Sequence, residues 1–90
     1  GLPTEFALQQ NYPNPFNPLT TIAFSIPERV AVALHVYDIL GREVVALVDD
    51  TLNPGEYKVQ FDASTLSSGV YFYRLAAGGF VAVKRMSLVR

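Results

Sequence analysis

The chain has no cysteine and no tryptophan, and only one histidine and one methionine in 90 residues. Without cysteine there is no disulfide framework and no thiolate nucleophile, although export to an oxidising compartment stays open. A serine triad would have to use His35, and zinc has no credible ligand set. His35 lies beside Leu34 and Val36 and shares a strand face with Ala31, Ala33 and Tyr37. It reads as a polar residue on an outer or partly covered face. Neither sign of charge dominates, with seven basic and eight acidic residues, a net charge of −1 and no basic run, which argues against nucleic acid as a partner. No apolar run approaches the roughly 20 residues of a membrane span, and no charged-then-apolar signal peptide opens the chain. A glycine-rich phosphate loop is also missing, since Gly78-Gly79 reads as a hairpin turn. Asp49-Asp50 could bind calcium with nearby carbonyls, but adjacent aspartates where a strand turns are usually solvated. No enzyme activity, metal or cofactor is expected.

Half of the residues are hydrophobic, six phenylalanines and five tyrosines among them, so the chain can fold without a metal or disulfide. At this length it is one domain, residues 1–90, burying about 60–65% of the surface its unfolded chain exposes. A modest core is affordable; a deep catalytic cleft is not expected. Gly1-Leu2-Pro3 opens without methionine and reads as the start of a module cut from a longer protein.

The most distinctive run is Asn11-Tyr12-Pro13-Asn14-Pro15-Phe16-Asn17-Pro18. Proline fixes φ, removes a donor and biases the preceding residue toward extended geometry, so neither a helix nor a central strand can hold this segment. It reads as a stiff, extended strap with Tyr12 and Phe16 as apolar anchors. Such a strap is a structural brace, closing the end of a sheet or covering its edge, or it is a presented signal.

Elsewhere the period is two. Gly55 to Asp62 places Tyr57, Val59 and Phe61 on one face and Glu56, Lys58, Gln60 and Asp62 on the other. Thr20–Ile26 and Val30–Tyr37 alternate likewise and are rich in β-branched and aromatic residues. Phe6–Gln10, Glu43–Val48, Val70–Ala76 and Phe80–Val89 complete about seven strands. Between them stand turn residues: Ile26-Pro27-Glu28-Arg29, Asp38 to Arg42 with Gly41 free to take φ > 0, Asn53-Pro54-Gly55 as a type II turn or loop, and Ala77-Gly78-Gly79. Strands at intervals of about ten residues without a helix predict an all-β, antiparallel sandwich of the immunoglobulin or fibronectin type III kind, expected to be a monomer. Gly55-x-Tyr57 and Gly69-x-Tyr71 repeat one pattern at two strand entries. Tyr71, just after Leu66-Ser67-Ser68-Gly69, is the candidate for a tyrosine corner. Apolar parity changes across Lys84-Arg85, from Val81 and Val83 to Met86 and Leu88, which predicts a β-bulge there.

These elements, taken in order, resemble the type A C-terminal sorting domain of proteins exported by the type IX secretion system of Gram-negative bacteria. They are Asn11 to Pro18 with Thr20, Ile22-x-Phe24-x-Ile26-Pro27, Val36-Tyr37-Asp38-x-x-Gly41-Arg42-x-Val44, Gly55-x-Tyr57, Leu66-x-Ser68-Gly69-Val70-Tyr71 and Lys84-Arg85-Met86-x-Leu88-Val89. The resemblance implies a sandwich following a large exported cargo protein, recognised by the outer-membrane translocon and removed by a sortase-like protease. The cargo would cross the periplasm to the cell surface or medium, and Arg90 would lie at or near the natural C-terminus. Three signal regions are implied: Pro13, Asn14 and Pro15 in the strap, Gly69 and Tyr71 at the corner, and Lys84, Arg85 and Arg90 in the last strand. That strand could offer an edge for β-augmentation. Tyr12, Phe16, Gly41 and Gly55 are expected to be structural, as Gly69 and Tyr71 would also be if the corner needs them. The alternative is a non-catalytic accessory module of a secreted multidomain glycoside hydrolase or adhesin, acting as a spacer or binding carbohydrate through Phe72, Tyr73 and Phe80.

Overall fold

The period-two segments fold as strands because each offers one apolar face that only a second sheet can cover. In the computed structural model, which covers residues 1–90, there are seven: β1 (Ala7–Leu8), β2 (Leu19–Ile26), β3 (Val30–Tyr37), β4 (Glu43–Leu52), β5 (Gly55–Asp62), β6 (Gly69–Ala77) and β7 (Phe80–Leu88). They form a three-stranded sheet, β1-β2-β5, and a four-stranded sheet, β4-β3-β6-β7, with antiparallel pairing throughout. The fold is the immunoglobulin-like sandwich that the alternation predicts. Ile22, Phe24, Ile26 and Phe61 of the smaller sheet meet Val32, Leu34, Val36, Tyr73, Leu75, Met86 and Leu88 of the larger one in a single core.

Two turns show why glycine stands where it does. Gly41 takes φ +82° after Asp38-Ile39-Leu40, where the Gly41 amide donates to the Asp38 carbonyl at 3.0 Å. The Asp38 carboxylate accepts from the amides of Leu40 and Arg42 at 2.9 and 3.0 Å, and the Arg42 amide above all holds that carboxyl below its usual range. Gly78 takes φ +58° at the first place of the loop joining Ala77 to Phe80, the glycine-first pattern of a type II′ hairpin. Asn53-Pro54-Gly55 is a loop rather than a type II turn, for Gly55 has φ +159° and already pairs with Ile26 in the sheet.

The bulges lie in another strand than parity suggests. The β6–β7 register runs without a break from Gly69↔Leu88 to Ala77↔Phe80. Lys84 therefore shares the inward face with Met86 and Leu88, and the mismatch resolves by leaving Val81 and Val83 exposed on the outer face (53% and 57%). The irregularities fall in β4, where the pairing with β3 shifts at Leu34/His35 and at Val36/Tyr37. Each shift leaves one extra residue in β4, Leu47 and Val44, and both pack against the core.

Candidate functional site

The strap bends at Pro13–Pro15 and at Asn17–Pro18 and so is not the straight segment expected from its prolines. Its X-Pro bonds, Tyr12–Pro13, Asn14–Pro15 and Asn17–Pro18, are cis. The bends let one short segment touch both sheets. At its start Tyr12 exchanges two backbone hydrogen bonds with Thr21 of β2, each 3.0 Å. Four residues on, Phe16 forms a parallel bridge with Leu88 on the edge of the other sheet. There the Phe16 amide donates to the Ser87 carbonyl and the Val89 amide to the Phe16 carbonyl, both at 3.0 Å.

Phe16 is 2% exposed, with its ring 6.1 Å from that of Phe61, so it is the anchor of the strap. Tyr12 is not. Its side chain is 81% exposed, because a strap crossing from one sheet to the other turns only one aromatic inward. Pro13, Asn14 and Pro15 are exposed beside it, and the Asn14 side-chain oxygen accepts from the Ser87 amide at 3.0 Å.

What fixes the bend is a buried polar knot. Asn11 and Thr20 are the two buried polar residues of the chain, each 2% exposed, and they bond each other at 3.0 Å. The Asn11 side chain also donates to the Pro13 carbonyl (3.2 Å) and accepts from Gln10 (2.7 Å), while the Thr20 hydroxyl donates to Pro13 at 2.8 Å. The fully buried Tyr73 closes the set. Its hydroxyl accepts from the Asn11 amide and donates to the Gln9 carbonyl, both at 2.7 Å. Every polar atom drawn into this knot has a partner, as burial demands. Asn11 and Thr20 carry a signal in sequence as the polar residues bracketing the prolines. Tyr73 carries one through its inward parity with Tyr71 and Leu75, which also removes it from any surface aromatic platform.

Burial raises the Tyr73 hydroxyl from its ordinary value near 10 to about 12, despite the opposing Asn11 amide. The folded state thus holds this proton more tightly than the unfolded chain. Its contribution to stability is complete below pH 10 and is lost as pH rises toward 12. Tyr73→Phe should cost about 1–3 kcal/mol at neutral pH by stranding the Asn11 amide. The urea midpoint of the wild type should then fall more steeply than that of the variant between pH 10 and 12, measured side by side.

At the far side of the strap the corner and the C-terminus come together. The Tyr71 hydroxyl donates to the Ser67 carbonyl four residues upstream at 2.7 Å, so the tyrosine corner is formed. Tyr57 bonds the Asn53 carbonyl at 2.5 Å in the same way, and the two Gly-x-Tyr units close their strand entries by one device. Tyr71→Phe is expected to lower stability by about 1–3 kcal/mol in chemical denaturation, with the β5–β6 loop losing amide protection first. Gly69 pairs with Leu88, and the Arg90 amide donates to Ser68 Oγ at 3.0 Å. The Arg90 guanidinium donates to the carbonyls of Ala63, Ser64 and Leu66 at 3.4, 2.8 and 2.5 Å. Arg90 therefore fastens the last residues to the β5–β6 loop. Arg85 is exposed with its side chain unpaired, and its carbonyl accepts from Gln10 at 2.6 Å. The strap and Gln10 thus cover the β7 edge from Arg85 to Val89, so that stretch is not open to augmentation.

The remaining candidates do not join this surface. His35 Nδ1 lies 2.7 Å from Glu43 Oε1 on the outer face of the larger sheet, and His35 Nε2 is buried without a partner. Asp49 and Asp50 follow one another in β4 and project to opposite faces, so their carboxylates do not converge. Phe72 lies on the outer face, whereas Phe80 stacks on Phe6 with ring centroids 5.4 Å apart.

The strap, the tyrosine corner and the C-terminal strand, distant in sequence, thus form one continuous region of an immunoglobulin-like sandwich. The geometry is that of a compact module that displays a surface. The model of the secretion-system C-terminal sorting domain family matches residues 10–88, and the chain belongs to that family. It is a C-terminal sorting signal of type IX secretion, carried by larger cargo destined for secretion or the cell surface. No curated protein matches the chain significantly.

Proposed function

We propose that the domain is non-catalytic and addresses its cargo by presenting the convergent surface to the outer-membrane translocon after passage through the periplasm. A sortase-like protease then removes it from the cargo. The observation that carries this reading is the fastening of the strap and the corner to one strand end, through Phe16 with Ser87 and Val89 and through Arg90 with Ser68. A signal shared by diverse cargoes must be a surface of the module itself, since the cargo varies and the receptor does not. Tyr12, Pro13, Asn14, Pro15, Arg85 and Arg90 are exposed on or beside this region and are the proposed contacts. Gly69 and Tyr71 hold it in shape. A surface fixed by buried hydrogen bonds loses little entropy on binding. The carbohydrate-binding alternative draws no support, because Tyr73 is fully buried and Phe72 and Phe80 point to different faces.

The test is a folded reporter with a periplasmic signal peptide fused to residues 1–90, in a host with the type IX machinery. Delivery to the surface or medium should require the translocon and drop at least tenfold in a Tyr12→Ala/Arg85→Glu variant whose thermal melt matches the wild type. Retention of the intact, folded fusion in the periplasm would sink the proposal. Equal delivery of the variant would remove these two residues from the contact surface.

A further inference from the structure

Sheet edges are sites where chains add to one another, and three of the four here are blunted. Strand β1 has two residues, β4 has two register breaks and the Asp49-Asp50 pair, and β5 alternates Glu56, Lys58, Gln60 and Asp62 on its exposed side. Strand β7 differs. Its Arg85–Val89 end is covered, but Phe80–Lys84 has no bulge, no proline and no outward charge.

The register fixes which backbone groups are open. Ser87 and Val89 give their backbone groups to Phe16, hence to the side away from β6. By the alternation of an antiparallel ladder, Val81 and Val83 point theirs the same way, and no strand lies beyond β7 in this sheet. Their N–H and C=O groups have no partner in the chain. Val83 sits between two arginines, Arg74 opposite it on β6 and Arg85 two positions along, and neither side chain makes a hydrogen bond or ion pair. Beside them a shallow groove of about 400 Å³ is lined by Tyr37, Ile39, Phe72 and Val83 among others.

We infer that the Phe80–Lys84 edge binds an extended, acidic segment of another protein, which adds as a further strand of the larger sheet. Main-chain hydrogen bonds to Val81 and Val83 supply the attachment, and carboxylates meeting Arg74 and Arg85 supply the selectivity. An apolar side chain between those carboxylates lies over Val83 toward Phe72. A second copy of this chain does not fit, since it would bring the same unpaired arginines to the contact. The inference shares Arg85 with the proposed translocon surface but does not depend on export, because its test reads peptide binding at the open Val81 and Val83 backbone.

The probe is the capped pentapeptide Glu-Thr-Val-Thr-Glu, which places one valine between two glutamates on one strand face, titrated into the isotopically labelled 90-residue chain. The amides of Val81 and Val83 should shift and gain protection from hydrogen exchange, with little change at Ala82 and Lys84, which already pair with β6. A peptide ending in lysines should bind at least tenfold more weakly. Val83→Pro, which removes an outward donor and no ladder bond, should cost at least tenfold. Arg74→Ala/Arg85→Ala, which leaves the backbone untouched, should abolish the preference for glutamate over lysine. No binding at millimolar peptide, protection at β4 or β5 instead, equal binding of the two peptides, or self-association through Val81 and Val83 would each overturn the inference.

Discussion

Phe16→Ala is expected to destabilise the domain by about 3–5 kcal/mol, the range for deleting a buried phenyl ring. Phe16 is 2% exposed and packs against Phe61, and its own backbone carries both hydrogen bonds that fasten the strap to Ser87 and Val89. The neighbours cannot collapse into the space without pulling the strap off β7. A domain of this length has a total stability of about 5–13 kcal/mol at typical per-residue values, so the loss is a large share. The melting temperature should fall by about 12–40 °C, at about 4–8 °C per kcal/mol for a domain this small. Phe16→Leu, which refills most of the volume, should cost about 1.5 kcal/mol or less. Native-state hydrogen exchange separates packing from tethering. In Phe16→Ala the Val89 amide, bonded only to the strap, should open at lower free energy than Met86, which belongs to the β6 ladder.

The sandwich was legible wherever one face is buried and the other is wet. Gly55–Asp62 and Val30–Tyr37 alternate without error, and the structure pairs them as that alternation requires. The tyrosine corner was legible because Leu66 to Tyr71 states it locally, and the Ser67 carbonyl that accepts the bond is only four residues away. The β7 strand departs from its apolar parity for a physical reason. Val81 and Val83 look like core residues by type, yet this edge leaves them exposed, and the half-buried Lys84 takes the inward position with its aliphatic stem.

The strap was half legible. Its exclusion from helix and sheet interior follows from proline chemistry alone. Which aromatic turns inward does not, because that depends on Ser87 and Val89, more than seventy residues away along the chain. The partners of Asn11 were hidden for the same reason, for the Tyr73 hydroxyl that accepts its amide lies 62 residues on. Long-range closures of this kind leave no periodic trace, and only the ordered set of motifs hinted that the distant pieces belong together.

Removing residues 84–90 is expected to unfold the domain and therefore cannot by itself locate a sorting signal. The deletion takes Met86 and Leu88, exposed 0% and 2%, and each such side chain is worth about 2–5 kcal/mol when truncated to alanine. It also removes the β7 half of the pairs from Gly69↔Leu88 to Tyr73↔Lys84, both strap bonds of Phe16 and the Arg90 clamp on Ala63, Ser64 and Leu66. Those losses together match or exceed the whole stability of a 90-residue domain. The truncated chain should show no cooperative thermal transition and should be degraded rapidly by protease, whereas the full chain melts in one step. Lys84→Gln/Arg85→Gln removes two charges while keeping most of the inward aliphatic stem of Lys84, and should keep the melting temperature within a few degrees of wild type. Comparing export of the two forms decides what the last strand does. If the folded double variant is exported normally while the truncation fails, the basic side chains are dispensable and the strand serves as a staple for the strap. If the folded double variant also fails, the charges are part of the address. A truncated chain that kept a cooperative melt would refute the staple account outright.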